Sequence, residues 1–254
     1  MTKISIYILL ILIYLGLAKS FYPQEESIEV INDARDLAAL IHESPATAVL
    51  IDQFTTGFII PTYFQKYMVV SLYRPSYILT VRTNHRWWES QKDYLGMSIF
   101  TRVNNFTPEL FLPTPPGAAF LDDPTMGEWY DENHEDRWRF HRPYRELLPE
   151  LLGWDNFVPN RTFYNLAQLH QEQHKVFYGL NNEFGTKGTI GQRLLIHSIL
   201  RPNNKKMTWK DYVKSWFYWP TPHEPELAAP KDEQILAPDL MPWFPRKAYD
   251  GVTR

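Results

Sequence analysis

Not one of the 254 residues is a cysteine. No disulfide, thiolate nucleophile, cysteine-ligated zinc or iron–sulfur cluster can therefore form. Whatever fold the chain adopts must be held by buried side chains and hydrogen bonds alone. Apolar residues make up 44% of the sequence, enough for a core, and aromatics reach 15% with nine Trp. Large rings bury much area per residue and are common at protein contacts. A formal net charge of −3 gives no general basic field, so composition offers nucleic-acid binding no support.

Residues 4–18 carry no charge and lie between Lys3 and Lys19. A helical span takes about 20 residues. Phe21, Tyr22 and a snorkelling Lys19 bring residues 1–22 near that length. The competing reading is a secretory signal peptide, with Lys3 as its charged start and Ala18-Lys19-Ser20 as the small-residue cut. A retained transmembrane anchor is the expectation carried forward.

From residue 27 onward the pattern alternates. Residues 27–31 read as a short strand, followed by a helix capped by Asn32, with Leu37, Leu40 and Ile41 at helical spacing. Residues 48–54 are a nearly continuous apolar run, as in a strand buried on both faces. Residues 62–74 are expected to be helical, 77–82 a strand and 89–95 a short helix stopped by Gly96. Residues 109–112 and 118–121 flank the turn sequence PTPPG and read as a hairpin. Helices between strands force crossovers, so the first strands should be parallel.

This order resembles the thioredoxin-like family over about residues 28–121. Val49-Leu50-Ile51-Asp52 is similar to the family's central strand, and the two cysteines of its C-x-x-C turn would fall on Phe58 and Pro61. Residues 105–112, Asn-Phe-Thr-Pro followed by a short apolar strand, resemble the segment that carries the family's cis-proline. The resemblance implies an α/β fold with a thioredoxin-like mixed sheet, a cis Pro108 beside the 58–61 turn and Asp52 in place of the buried acid. It also implies a domain without redox chemistry, because thiol exchange needs an attacking and a resolving thiol. What such a domain keeps is surface. Phe58, Ile59, Ile60, Thr107 and Pro108 would form an apolar patch that docks an extended partner, unless the chain's own tail covers it.

The expected organisation is an anchor at 1–22, the thioredoxin-like domain at 27–142, a helical extension at 143–219 and an extended proline-rich tail at 220–254. Helices are expected at 128–141, 163–178, 190–200 and 208–219. The tail keeps Trp243 and Phe244, rings that suit an ordered segment lying along a partner.

His170 and His174 stand four apart, the spacing of two zinc ligands on one helix face. Gln171 occupies the place where a metalloprotease needs Glu, so a polar helix face is the better reading. The glycine-rich stretch 185–191 lacks phosphate-loop spacing and reads as a flexible loop. Two sequons begin at Asn105 and Asn160, and Asn160 is the better placed of the two for a glycan. No catalytic, cofactor-binding or metal-binding residue is expected.

These features lead to a non-catalytic accessory subunit of a membrane protein complex, with other subunits as partners and no nucleic acid. The architecture is similar in style to accessory subunits of mitochondrial inner-membrane respiratory complexes, with the domain facing the intermembrane space. The alternative is a non-catalytic peptide-binding protein of the secretory pathway, in the endoplasmic reticulum lumen or secreted.

Overall fold

The computed structural model describes residues 3–20, 28–57, 61–71, 73–104, 106–142, 144–152, 154, 157–189, 220 and 222–224. They form a mixed α/β structure around one curled mixed sheet. Its elements are α1 (Lys3–Ser20), β1 (Val30–Ile31), α2 (Ala34–Leu40), β2 (Ala46–Thr56), β3 (Thr62–Ser71), β4 (Tyr77–Thr83), α3 (His85–Ser90) and β5 (Ser98–Arg102). A 3₁₀ turn (Ala118–Phe120) then leads to β6 (Gly127–Glu132), β7 (Glu135–Phe140), α4 (Tyr144–Leu151), α5 (Arg161–Glu172) and β8 (His223–Glu224).

The main sheet runs β1-β4-β3-β2-β5, with β8 also paired to β4. Only β1 and β4 are parallel; β2–β3, β3–β4, β2–β5 and β4–β8 are antiparallel. The crossover helix expected at 62–74 is instead the central strand β3. Its residues Tyr63, Phe64, Tyr67, Val69 and Val70 are aromatic or β-branched and favour a pleated surface. Because β3 is buried on both faces, its apolar residues show no period of two, and the run imitates a helix. The segment on which the thioredoxin resemblance rests thus folds as an antiparallel meander. The Thr107–Pro108 bond is trans as well: the cis bond among the described residues is Ser44–Pro45.

Smaller corrections follow from local chemistry. The cap of α2 is Asp33, whose Oδ1 accepts from the backbone N–H of Arg35 and Asp36; Asn32 lies one residue too early. The short helix expected at 89–95 is α3, capped by Asn84 Oδ1 on Trp87 N. The hairpin expected around PTPPG does not form; Leu110 and Thr114 each bridge singly to β5, a strand that the residue pattern did not announce. The helix expected at 128–141 is the β6–β7 hairpin. Its two turn residues, Asn133 and His134, both have positive φ (58° and 65°), as the tightest right-twisted hairpins require.

Helix α1 has 18 residues, about 27 Å at 1.5 Å per residue. A hydrocarbon core is about 30 Å thick. Among the described residues no helix is long and apolar enough to cross a membrane. The expected transmembrane anchor is therefore corrected to an apolar helix short of a span. Ile4, Ile6, Tyr7 and residues 8–13 are all exposed, so this part of α1 packs on nothing in the described chain.

The sheet is covered on both faces, by different materials. One face carries Ala46, Ala48, Leu50, Tyr67, Val69, Leu79 and Val81 and packs against Leu37, Ala38 and Ile41 of the α2 segment. Burial holds the Tyr67 hydroxyl well above the usual phenol range. The other face carries Val49, Ile51, Met68, Val70 and Ile78 and meets a ring-rich lobe built from residues 118–184. Phe163 is its hub, with ring centroids 5.1 Å from Phe177, 5.2 Å from Phe157, 6.1 Å from Phe184 and 6.4 Å from Trp154. Leu148, Leu152 and Trp154, in the region expected to be a separate helical extension, share this core with the sheet. Of the helices expected there, α5 spans Arg161–Glu172 rather than 163–178, and those at 190–200 and 208–219 lie outside the described residues.

Candidate docking site

Strand β5 ends at Arg102, and the chain returns to it at Leu110. Thr101 N–H donates to Leu110 O at 3.0 Å and Leu110 N–H to Thr101 O at 2.9 Å, closing a loop over residues 102–109. Inside that closure the Arg102 guanidinium pairs with Glu109 Oε1 through Nε and Nη2. Its Nη1 donates to Ile41 O at 2.7 Å and Glu43 O at 3.1 Å, which ties the loop base to the segment after α2. Charge-assisted, partly buried contacts of this kind are worth more than surface pairs. Nearer the tip, Asn104 Oδ1 accepts from Phe106 N at 2.8 Å and Thr107 N at 2.7 Å. Asn suits this place because its short side chain mimics a backbone turn.

The tip presents Phe106 at 97% exposure, the most exposed large hydrophobic side chain among the described residues, with Thr107 and Pro108 exposed beside it. Burying a Phe side chain stabilises by about 1.5–3 kcal/mol. The free chain forgoes that gain while holding the loop in shape by hydrogen bonds.

Of the expected docking residues, Thr107 and Pro108 are thus on an exposed tip. Phe58, Ile59, Ile60, Trp243 and Phe244 lie outside the described residues. The flanks of 58–60 are not near this tip. Ala46 of β2 pairs with Arg102, whereas Thr56 and Thr62 close the β2–β3 hairpin at the other end of the strand. Eleven residues of strand separate the two ends, roughly 33 Å. Gly57 and Pro61 therefore share no surface with Thr107 and Pro108. Phe106 was missed because a lone ring in a polar loop carries no sequence signal of exposure. Only the Arg102–Glu109 closure fixes what this loop displays.

The other candidates resolve into structure. Asp52 Oδ1 accepts from Gln53 N at 2.8 Å, a local hydrogen bond. Helix α5 ends at Glu172, so His174, with φ 52°, is not on the helix face of His170, whose Nδ1 lies 3.3 Å from Val176 O. Among the described residues no group of three or more His, Asp or Glu could hold a metal. The glycine-rich stretch is stitched down over its described part rather than flexible. Thr186 Oγ1 donates to Lys92 O at 2.6 Å and accepts from Leu95 N at 3.1 Å. Asn160 is the cap of α5: its Oδ1 accepts from Phe163 N and its Nδ2 donates to Glu135.

A surface latch joins the 3₁₀ turn to the ring-rich lobe. Asp122, at φ 66°, accepts from Trp129 Nε1 at 2.6 Å, Arg161 Nη1 at 2.9 Å and Tyr164 Oη at 3.2 Å. The Arg161 guanidinium sits 4.3 Å from the Trp129 ring centroid. The Trp129 hydrogen bond, followed by those from Arg161 and Tyr164, holds the Asp122 carboxyl below the usual range. Every donor is satisfied within the chain, so the arrangement is a fastening.

No protein-family profile matches the chain, and no curated protein or solved structure is significantly similar to it.

Proposed function

We propose that this chain is a non-catalytic docking protein that holds a protein partner through the 102–109 loop. The observation that supports the reading is Phe106, fully displayed on a loop braced by Arg102, Glu109 and Asn104. A pre-ordered loop loses little freedom on association, where each side chain frozen at an interface costs about 0.5–1.5 kcal/mol. An aromatic anchor entering a pocket is the usual centre of a binding hot spot. No cluster of basic residues flanks Phe106 in the loop, which favours a protein pocket over an anionic lipid surface.

Helix α1 supplies targeting in this reading. It is apolar all round, exposed over 4–13 and short of a span, which suits a signal-peptide core better than a permanent anchor. That favours the secretory route over a place in a mitochondrial inner-membrane complex. A glycan at Asn160 is not part of the proposal, because the Nδ2 that would carry it is bound to Glu135 in the folded chain.

The test is photo-crosslinking from position 106 in the full chain within its native cells. A discrete protein adduct that disappears with Arg102→Ala is expected; lipid adducts alone, or none, would overturn the docking reading. N-terminal sequencing of the mature protein decides the route, and an intact Met1 would defeat the secretory form. Phe106→Ala should leave stability within about 0.5 kcal/mol of the parent, as a surface substitution does, while losing the partner on a native gel.

A further inference from the structure

Strand β4 is the last long strand on its side of the sheet, and its outer edge is filled piecemeal. Toward its C-terminal end β1 runs parallel to it, with Val30 opposite Arg82 and Ile31 opposite Thr83, and Arg82 N–H donates to Glu29 O at 2.9 Å. Toward the middle β8 runs antiparallel, with Leu79 opposite His223 and Ile78 opposite Glu224. There Thr80 N–H donates to Pro222 O at 2.9 Å. Residues 222–224 thus return from far along the chain to strap the edge of a strand laid down early.

The strap completes that edge only in part. In an antiparallel ladder, pairs that exchange hydrogen bonds alternate with pairs that exchange none. Thr80–Pro222 is of the bonded kind, so Leu79–His223 is not, and Ile78–Glu224 is bonded again. A bonded pair exchanges two N–H···O bonds, but Pro222 has no N–H to return to the Thr80 carbonyl. The strap makes one bond there where an ordinary residue makes two. Ile78 and Thr80 are both buried, and buried backbone groups are normally paired, so this position favours a strand that brings the missing donor.

We propose that the outer edge of β4, over residues 77–81, receives an extended segment of a partner protein by strand addition, and that residues 222–224 are the chain's own stand-in for it. The partner segment runs antiparallel to β4 and sets a residue other than proline opposite Thr80, where its N–H makes the bond that Pro222 cannot. Main-chain bonds of this kind supply the affinity in strand addition. The strap keeps its place through its tether, which can confer an effective concentration on the order of 1 mM, and not through a full ladder. A second copy would bring the same proline and gain nothing over the tethered segment. This edge is separate from the 102–109 loop, and the argument for it does not use that loop.

The experiment uses the full chain and two fluorescein-labelled synthetic peptides, followed by anisotropy. One carries residues 219–226 unaltered, and the other has alanine in place of Pro222. The alanine peptide should bind at least about threefold tighter, as one added net hydrogen bond requires. In the chain itself, Glu224→Pro removes a donor from the strap and should tighten peptide binding, whereas Pro222→Ala completes the strap and should weaken it. Because the chain has no cysteine, Leu79→Cys with His223→Cys offers a single disulfide across the non-bonded pair, whose Cα separation of about 4.5 Å is within reach. Oxidation should abolish peptide binding and reduction should restore it. No saturable binding to the Glu224→Pro chain would overturn the proposal, as would binding indifferent to Pro222→Ala and to oxidation. Loss of binding in Phe106→Ala would move the peptide to the loop, and a concentration-dependent dimer of the Glu224→Pro chain would give the edge to a second copy; each refutes the proposal.

Discussion

The two faces of the sheet solve the same problem with different side chains. Toward α2 the covering is regular: a capped helix sets Leu37 and Ile41 over Ala46, Ala48 and Leu50, and the covering side chains are small and aliphatic although Tyr67 and Phe100 are buried beside them. Toward residues 118–184 the covering is a 3₁₀ turn, a hairpin, two short helices and long connections. There the core is Phe120, Trp138, Phe140, Trp154, Phe163, Phe177 and Phe184. Irregular backbone places fewer side chains per unit length against a sheet, so each must bury more. Rings of 150–250 Å² do that, and their edge-to-face contacts tolerate varied approach angles. Among the described residues, the densest cluster of rings thus lies where the covering backbone is least regular.

The sharpest way to break that comparison is to remove one hub from each side. Phe163→Ala should cost about 3–5 kcal/mol, at or above the roughly 2–5 kcal/mol of Leu37→Ala, because its neighbours are rigid rings that cannot collapse into the gap. Denaturant titration measures both; a clearly smaller loss at Phe163 would deny the ring lobe its hub. A single shared transition in both variants would show that the faces unfold together.

Gly127→Ala probes how tightly the β6–β7 hairpin seats on that lobe. A Cβ there would lie 2.5 Å from Arg139 O and 2.7 Å from the Trp138 ring. A loss of about 1–3 kcal/mol is expected, and thermal melting that matches the parent would show that the hairpin shifts freely.

The helix caps give a smaller contrast. Asp33→Ala on α2 should cost about 1 kcal/mol. Asn160→Ala on α5 should cost more, since Asn160 caps the helix and also ties it to Glu135 on β7. Equal losses, measured in the same titration, would mean the Glu135 bond adds nothing.

The smallest effect is the acid dependence of the Asp122 latch. The folded carboxyl titrates below its unfolded value of about 3.9. Its contribution is therefore present above that value and fades as pH falls through the lower, folded one. The groups are largely exposed, so the gain is at most about 1 kcal/mol. Asp122→Asn and the parent should differ in melting temperature near neutrality and converge in acid. A constant difference across that range would refute a charge-based latch.

Some of this was legible in residues alone. The run at 48–54 announced a strand buried on both faces, and β2 is a strand buried on both faces as far as Ile51. Short β-branched segments gave β1 and β4, whereas α3 ends at Ser90, well before Gly96, which was expected to stop it. Two other segments misled. In β3 both faces are buried, so the alternation of a half-buried strand is missing. In β7 the alternation is present, with Trp138 and Phe140 buried between arginines, but the surrounding charges and rings read as a helix face. Thr107 and Pro108 are singled out through the resemblance, with a cis bond that the structure does not have, while the exposure of Phe106 needed the closure of the loop to be known.

By itself the amino-acid sequence determined what the molecule cannot use and what it must bury: no cysteine chemistry, an uncharged apolar stretch at 4–18, and a surplus of rings seeking cover. Only the tertiary structure decided that residues 62–71 lie in the middle of a sheet and that the 58–60 flanks and Thr107 sit toward opposite ends of β2. Local preference is set by neighbours along the chain. Strand order, exposure and unmet hydrogen bonds are set by neighbours in space, and those are known only once the chain has folded.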